Sequence, residues 1–272
     1  MEWHRAKNIL IVLFLFVNIF LLFILIDDNN KASLDKAKLF GVLTQNNITV
    51  DLSTIPKAKK RVFVSEFYGV NDEIIHFFIP RILKVDGTTY SDDTKTLIVD
   101  RNNISFTDSA PSNDEFRNVT SKNVVSKLEP ILKTFGISNY VKVGNLIESS
   151  GMYMVEYKYE IDKLEVLHDK LTFLVSNRGL LKCEGALYVP DKKSGYSYDI
   201  NTPETIIIQS EKKDINITSM KLGLYILDYE NALTTQAIPA YQITAESRTY
   251  TENRTYTFDA RIGVDSKERE LK

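Results

Sequence analysis

Few side chains in this sequence stand where catalysis or metal binding needs them. Glu156 and Glu160 flank Lys158 in MYMVEYKYEID, and paired carboxylates are what a hydrolase uses as acid and base. On a strand those three residues share one solvated face, where alternating charges need no catalytic role, and nothing else converges on them. His76 in IIHFFIP and His168 in VLHDK lack a nucleophile motif such as G-x-S-x-G, so both read as structural. Cys183, in LLKCEGAL, is the single cysteine, which rules out an intramolecular disulfide, a multi-thiolate zinc site or a CxxC redox pair. It reads as a small hydrophobe on a sheet face. The sequence has neither a P-loop nor a G-x-G-x-x-G, and its only histidines are His4, His76 and His168. No catalytic, cofactor-binding or metal-binding residue is assigned, and no cofactor is expected. Five Asn-x-Ser/Thr triplets, at Asn47, Asn103, Asn118, Asn216 and Asn253, are what a chain rich in Asn, Ser and Thr produces by chance.

The elements that hold these residues begin with an apolar run. Ile9 to Ile26 reads ILIVLFLFVNIFLLFILI, with Asn18 its one polar residue. As a helix it reaches roughly 27 Å, close to the hydrocarbon core of about 30 Å. A cleaved signal peptide has a shorter apolar core and small residues after it, whereas this run ends in Asp27-Asp28-Asn29-Asn30. Arg5 and Lys7 before the run and Asp27 and Asp28 after it place the N-terminus in the cytoplasm and the bulk of the chain outside the cell membrane. Asn18 in hydrocarbon is costly unless it meets a hydrogen-bond partner, so its helical face, with Ile11, Phe14, Leu15, Leu21, Leu22 and Leu25, is the candidate interface to a partner's membrane helix. Lys+Arg 34 against Asp+Glu 36 in 272 residues leaves a net charge of -2, with no basic field for nucleic acid.

Beyond the membrane segment the pattern predicts two α+β units. Ser33 to Asn46 has helical spacing, followed by strands at Arg61 to Tyr68, Ile74 to Ile79, Thr96 to Asp100 and Ile104 to Thr107. The order then restarts with a helix over Lys122 to Phe135, ended by Gly136, and strands at Met152 to Asp162, Leu171 to Ser176 and Leu180 to Val189. Thr202-Pro203-Glu204 opens a further helix, with strands around Ile215 to Asp228, Ala240 to Ala245 and Thr249 to Ala260. The expected organisation is a cytoplasmic tail (1–8), one transmembrane helix (9–26), and two extracellular helix-plus-antiparallel-sheet units (27–118 and 119–272).

The opening Met1-Glu2-Trp3-His4-Arg5-Ala6-Lys7-Asn8-Ile9, running into a membrane helix, resembles the start of the YycI (WalI) family of bacterial regulators. Ile238-Pro239-Ala240-Tyr241-Gln242-Ile243 is similar to the family's I-P-A-W-R-I segment, and Tyr256-Thr257-Phe258-Asp259-Ala260-Arg261-Ile262-Gly263 to its Y-Y-V-N-A-x-T-G strand. Pro203-Glu204-Thr205 and Leu222-Gly223-Leu224-Tyr225 fall between them in the expected order, while Tyr241 and Gln242 depart from the family's Trp and Arg. The resemblance implies a single-pass, non-enzymatic accessory protein of the WalK/WalR (YycG/YycF) two-component system. Such a protein acts with a YycH-like sister on the sensor histidine kinase of cell-wall metabolism. The alternative expectation is an anchored surface module for a wall polymer or small ligand, and a third is an anchored wall hydrolase.

Overall fold

β-branched and aromatic residues recur in short runs along this chain from about residue 49 onward, and in the computed structural model many of these runs are strands. The structure describes residues 7, 13, 14, 17, 39–227, 234–247, 253–265 and 268–271. A short helix, α1 (39–45), leads into β1 (Thr49–Val50), β2 (Arg61–Tyr68) and helix α2 (Asp72–Phe78). A meander follows: β3 (Lys84–Asp86), β4 (Thr89–Ser91), β5 (Lys95–Asp100) and β6 (Asn103–Asp108). Helix α3 (Val124–Thr134) precedes β7 (Val141–Ser149), β8 (Met152–Ile161), β9 (Leu164–Ser176), β10 (Gly179–Ala186) and β11 (Val189–Asp199). Helix α4 (Pro203–Gln209), β12 (Ile215–Leu227), β13 (Thr234–Ser247), β14 (Asn253–Asp259) and β15 (Glu270–Leu271) complete the order.

The α+β expectation of two successive units is overturned. Strand accounts for 52% of the described residues and helix for 19%, and the strands join one large mixed sheet. Its main path runs β11-β2-β13-β12-β9-β10-β6-β5-β4-β3. Early strands are interleaved with late ones: β2 lies between β11 and β13, and β6 pairs with β10. Local sequence patterning shows which runs are strands but not which distant run each one pairs with, so chain order suggested separation where the sheet made a single body with one hydrophobic core from Leu39 to Ala260. The expected membrane helix lies outside the described residues except for Leu13, Phe14 and Val17, which are helical. Among the described residues no helix is long and apolar enough to cross a membrane.

Ile74 to Ile79, expected as a strand, is the second correction. Asn71 caps α2 by accepting from the Ile74 N–H (3.0 Å), Asp72 and Glu73 sit in its positive first turn, and Ile74, Ile75 and Phe78 bury one helical face. Six apolar or aromatic residues read equally well as strand or helix, and the cap decides between them. The helix signals further on hold. The Ile137 and Gly136 N–H groups close α3 onto the carbonyls of Leu132 and Lys133 with Gly136 at φ 73, and Thr202 caps α4 with Pro203 in its first turn. Strands β7 and β11 were not foreseen.

On β8 the alternation is as expected, with Tyr153, Val155, Tyr157, Tyr159 and Ile161 all buried. Two of these tyrosines differ in their partners. Tyr159 donates to the Ala186 carbonyl (2.9 Å) and accepts from the Tyr188 N–H (3.3 Å), whereas the buried Tyr157 hydroxyl has no partner among the described residues. Tyr157→Phe should therefore stabilise the fold by about 1 kcal/mol, while Tyr159→Phe should cost about 1–3 kcal/mol by stranding a carbonyl and an N–H. Burial also pushes Tyr157 up to about 12 and raises Tyr159 and Tyr241 further. In the unfolded chain these tyrosines ionise near pH 10, so the unfolded state releases more protons above that pH. Stability is fully present below about pH 10 and falls as pH rises. Denaturant titrations at pH 8 and pH 11 should show the decline, with a shallower one in Tyr157→Phe.

Candidate functional site

The expected transmembrane interface cannot be placed in space: Asn18, Ile11, Leu15, Leu21, Leu22 and Leu25 lie outside the described residues, and Phe14 is helical and 69% exposed. The carboxylates weighed from sequence are held by lysines. Glu156 accepts from Lys170 Nζ (2.5 Å), Glu160 from Lys142 Nζ, and Glu165 accepts from Lys221 Nζ (2.9 Å) with Lys158 Nζ at 3.6 Å. Burial works to raise the Glu165 pKa, but its bond to Lys221 and the surrounding lysine charges outweigh this and hold it below its ordinary value. The strand face is thus a lattice of ion pairs. His76 is exposed on α2, and Cys183 is fully buried opposite Phe106 and Phe173, where burial pushes its thiol well up. Among the described residues no three His, Cys, Asp or Glu side chains are grouped to hold a metal ion.

The more informative place is where β9 breaks its ladder. Antiparallel pairing with β8 runs from Met152↔Ser176 to Lys158↔Lys170, then shifts to Glu160↔Glu165, leaving 166–169 on β9 to bulge. There β9 pairs in parallel with β12 instead, Gly223↔Glu165 and Leu224↔Val166. Gly223 is required at this crossing, because a Cβ there would lie 2.5 Å from the Glu165 carbonyl oxygen and 2.6 Å from Leu167 Cδ2. His168 sits in the bulge with φ 73, a conformation that strains any residue with a Cβ. Its Nε2 lies 2.7 Å from Thr257 Oγ1 and 3.3 Å from the Gln242 amide nitrogen, and its ring meets Tyr225 edge to face at 6.0 Å. Beside it the Tyr188 hydroxyl donates to Asp169 Oδ2 (3.1 Å). His168, Asp169, Tyr188, Tyr225 and Thr257 line a cleft of about 560 Å³ that also takes in Asn103, Tyr256 and Glu270. Of these, Glu270 and Tyr256 are also held by Lys212, whose Nζ lies 2.7 Å from Glu270 and 4.1 Å from the centre of the Tyr256 ring. Aromatic faces beside a few fixed polar groups suit binding and orientation of a polar ligand.

Four segments that follow one another between residues 203 and 263 meet on the strands that border this cleft and on their opposite face. Ile238 to Ile243 on β13 pairs with Tyr256 to Asp259 on β14, with Tyr241↔Phe258 and Gln242↔Thr257, and on its other side with β12, as Leu222↔Tyr241 and Tyr225↔Ile238. The fully buried Tyr241 donates to the Asn201 carbonyl (3.2 Å), just before Thr202 caps α4 and its Pro203-Glu204-Thr205. His168 was read from the sequence as structural. Its positive φ and its contacts to Gln242 and Thr257 depend on pairing across 74 and 89 positions, which no local signal carries.

Neither a family model nor a curated protein matches this chain. Among solved structures, an uncharacterised protein from Eubacterium rectale overlays at 11% identity, covering 82% of this chain and 89% of that one, with a TM-score of 0.45. The Bacillus megaterium YpeB C-terminal domain gives 12% identity, 75% and 99% coverage and a TM-score of 0.31. YycH from Bacillus subtilis gives 12% identity over 74% of this chain and 53% of its own, with a TM-score of 0.42. With every TM-score below 0.5, these overlays carry no argument about activity or partners.

Proposed function

We propose that this chain is a membrane-anchored, non-enzymatic regulator that binds a sensor histidine kinase of cell-wall metabolism, together with a YycH-like accessory protein, and biases the kinase between its active and inactive states. The observation that carries the proposal is the meeting of the segments that resemble the YycI family. Those that fall in the described residues beyond the N-terminus, from Pro203 to Gly263, lie as neighbours on β12, β13, β14 and the start of α4. A differential affinity of about 1–3 kcal/mol for the two kinase states changes their ratio about 5- to 150-fold. In this reading residues 9–26 anchor the chain with its N-terminus inside, and Asn18 faces a partner helix.

The test is site-specific photo-crosslinking in the host membrane, with the probe at position 14 and, separately, at Tyr225. The expected result is a covalent adduct with a histidine kinase or a YycH-like protein. Asn18→Leu should insert normally yet weaken the position-14 adduct several-fold. A correctly inserted chain that captures neither partner from either position overturns the proposal. A second reading, an anchored module for a wall polymer or small ligand, is favoured by the tyrosine-lined cleft at His168. Saturable binding of wall fragments that is lost in Tyr225→Ala would select it.

A further inference from the structure

A dense cationic run leads into β2. Residues 52–65 read LSTIPKAKKRVFVS, with Lys57, Lys59, Lys60 and Arg61 and no carboxylate. In the structure the three lysines lie in an irregular segment, and every residue from 57 to 61 is exposed. Arg61 Nε donates to Asp199 across the β2–β11 pair (2.8 Å), but Lys57 and Lys59 have neither an ion-pair nor a hydrogen-bond partner among the described residues, so the run keeps a net positive charge. Beyond it β2 alternates. Val62 and Val64 are buried, while Phe63 shares the outward face with Arg61 and is 49% exposed. The ring lies across Gly195 of β11, where a Cβ would stand 2.6 Å from Phe63 Cζ. Cations and an open aromatic side chain thus sit side by side on one end of the β2–β11 ribbon.

Four like charges within five residues repel one another, and a surface of opposite charge relieves that repulsion. Each lysine held near an anionic bilayer strengthens association about fivefold at physiological salt. An exposed ring beside such a run fits the headgroup layer, where its apolar body leaves water, whereas a dissolved polyanion gives it no such place. We propose that residues 57–61 and Phe63 dock against an anionic lipid surface, the cations on lipid phosphates and the ring among the headgroups. The proposal rests on the reading that residues 9–26 anchor the chain, which keeps a bilayer within reach, and it adds which side of the folded part that bilayer meets.

Cys183 is fully buried, so a cysteine placed at an exposed site takes a fluorophore selectively. The full chain carrying Ala58→Cys, labelled there, is reconstituted into vesicles of phosphatidylcholine alone or with about 30% phosphatidylglycerol, each containing a nitroxide-headgroup lipid as quencher. Quenching should be at least about twofold stronger on the anionic vesicles, and about 0.5 M salt should remove the gain. Lys57→Gln/Lys59→Gln/Lys60→Gln, with an unchanged denaturation midpoint, should lose the gain, and Phe63→Ala at least half of it. A label at Ser149→Cys on β7, which β13, β12, β9 and β8 separate from β2, should show none. Retention on neutral vesicles at high salt reports the anchor alone, so its failure is read apart from that of the basic segment. Equal quenching on both vesicles, a gain that survives the triple lysine variant, or an equal gain at position 149 overturns the proposal. Soluble poly(glycerol phosphate) bound as tightly by Phe63→Ala as by wild type, with no gain on anionic vesicles, overturns it in favour of a phosphodiester polymer.

Discussion

Gly185→Ala is expected to abolish cooperative folding, at a cost of at least about 4 kcal/mol. On β10, Gly185 pairs with Leu171 of β9 on one side and Ile104 of β6 on the other, at φ 127. A Cβ there would lie 2.0 Å from the Lys170 carbonyl oxygen and 3.2 Å from Leu171 Cα. Both obstacles are backbone of a central strand, so no rotamer change relieves them, and the φ is itself unsuited to an L side chain. The distortion falls where β9 leaves the His168 bulge and resumes its ladder. Loss of a single denaturation transition, or a midpoint shift corresponding to that cost, is the outcome to measure. A variant with wild-type stability and an unchanged environment at His168 would show that this approach is not a constraint.

Arg269 carries the second large effect. Its side chain is buried, and its guanidinium donates to three carbonyls: Nη1 to Asp259 (2.8 Å) and Arg261 (3.0 Å), Nη2 to Val264 (2.6 Å). Burial lowers its pKa, opposed by the charges of Asp259 and Asp265, but a guanidinium remains a cation. Arg269→Met strands the Asp259 and Val264 carbonyls at the end of β14, while that of Arg261 still accepts from Asn201 Nδ2 (3.0 Å), and it should cost about 3–5 kcal/mol. Arg269→Lys should recover less than half of that, since a point ammonium cannot span three carbonyls as a planar fork does. Hydrogen exchange should rise first at residues 259–264. A loss below about 1 kcal/mol in Arg269→Met would reduce these bonds to surface contacts.

Arg269 also shows what local pattern could not convey. In SKERELK it reads as one charge in a solvated run, and only the fold of 259–264 around it makes it a buried keystone. His168 gave no signal at all, because its strained backbone follows from β9 changing partners between β8 and β12.

The sequence by itself determined what short-range chemistry determines: the alternating face of β8, the caps of α3 and α4, an apolar run long enough to span a membrane, and segments resembling a regulator family. The Asn71 cap that makes Ile74 to Phe78 a helix is equally local, whereas only the tertiary structure decided that β2 lies between β11 and β13 and that one sheet replaces two units. The physical reason is range. Periodicity and capping act over a few residues, whereas strand pairing joins residues up to 170 positions apart, as in Glu66↔Gln236, and is selected by which faces bury together and where Gly185 and Gly223 let backbones touch.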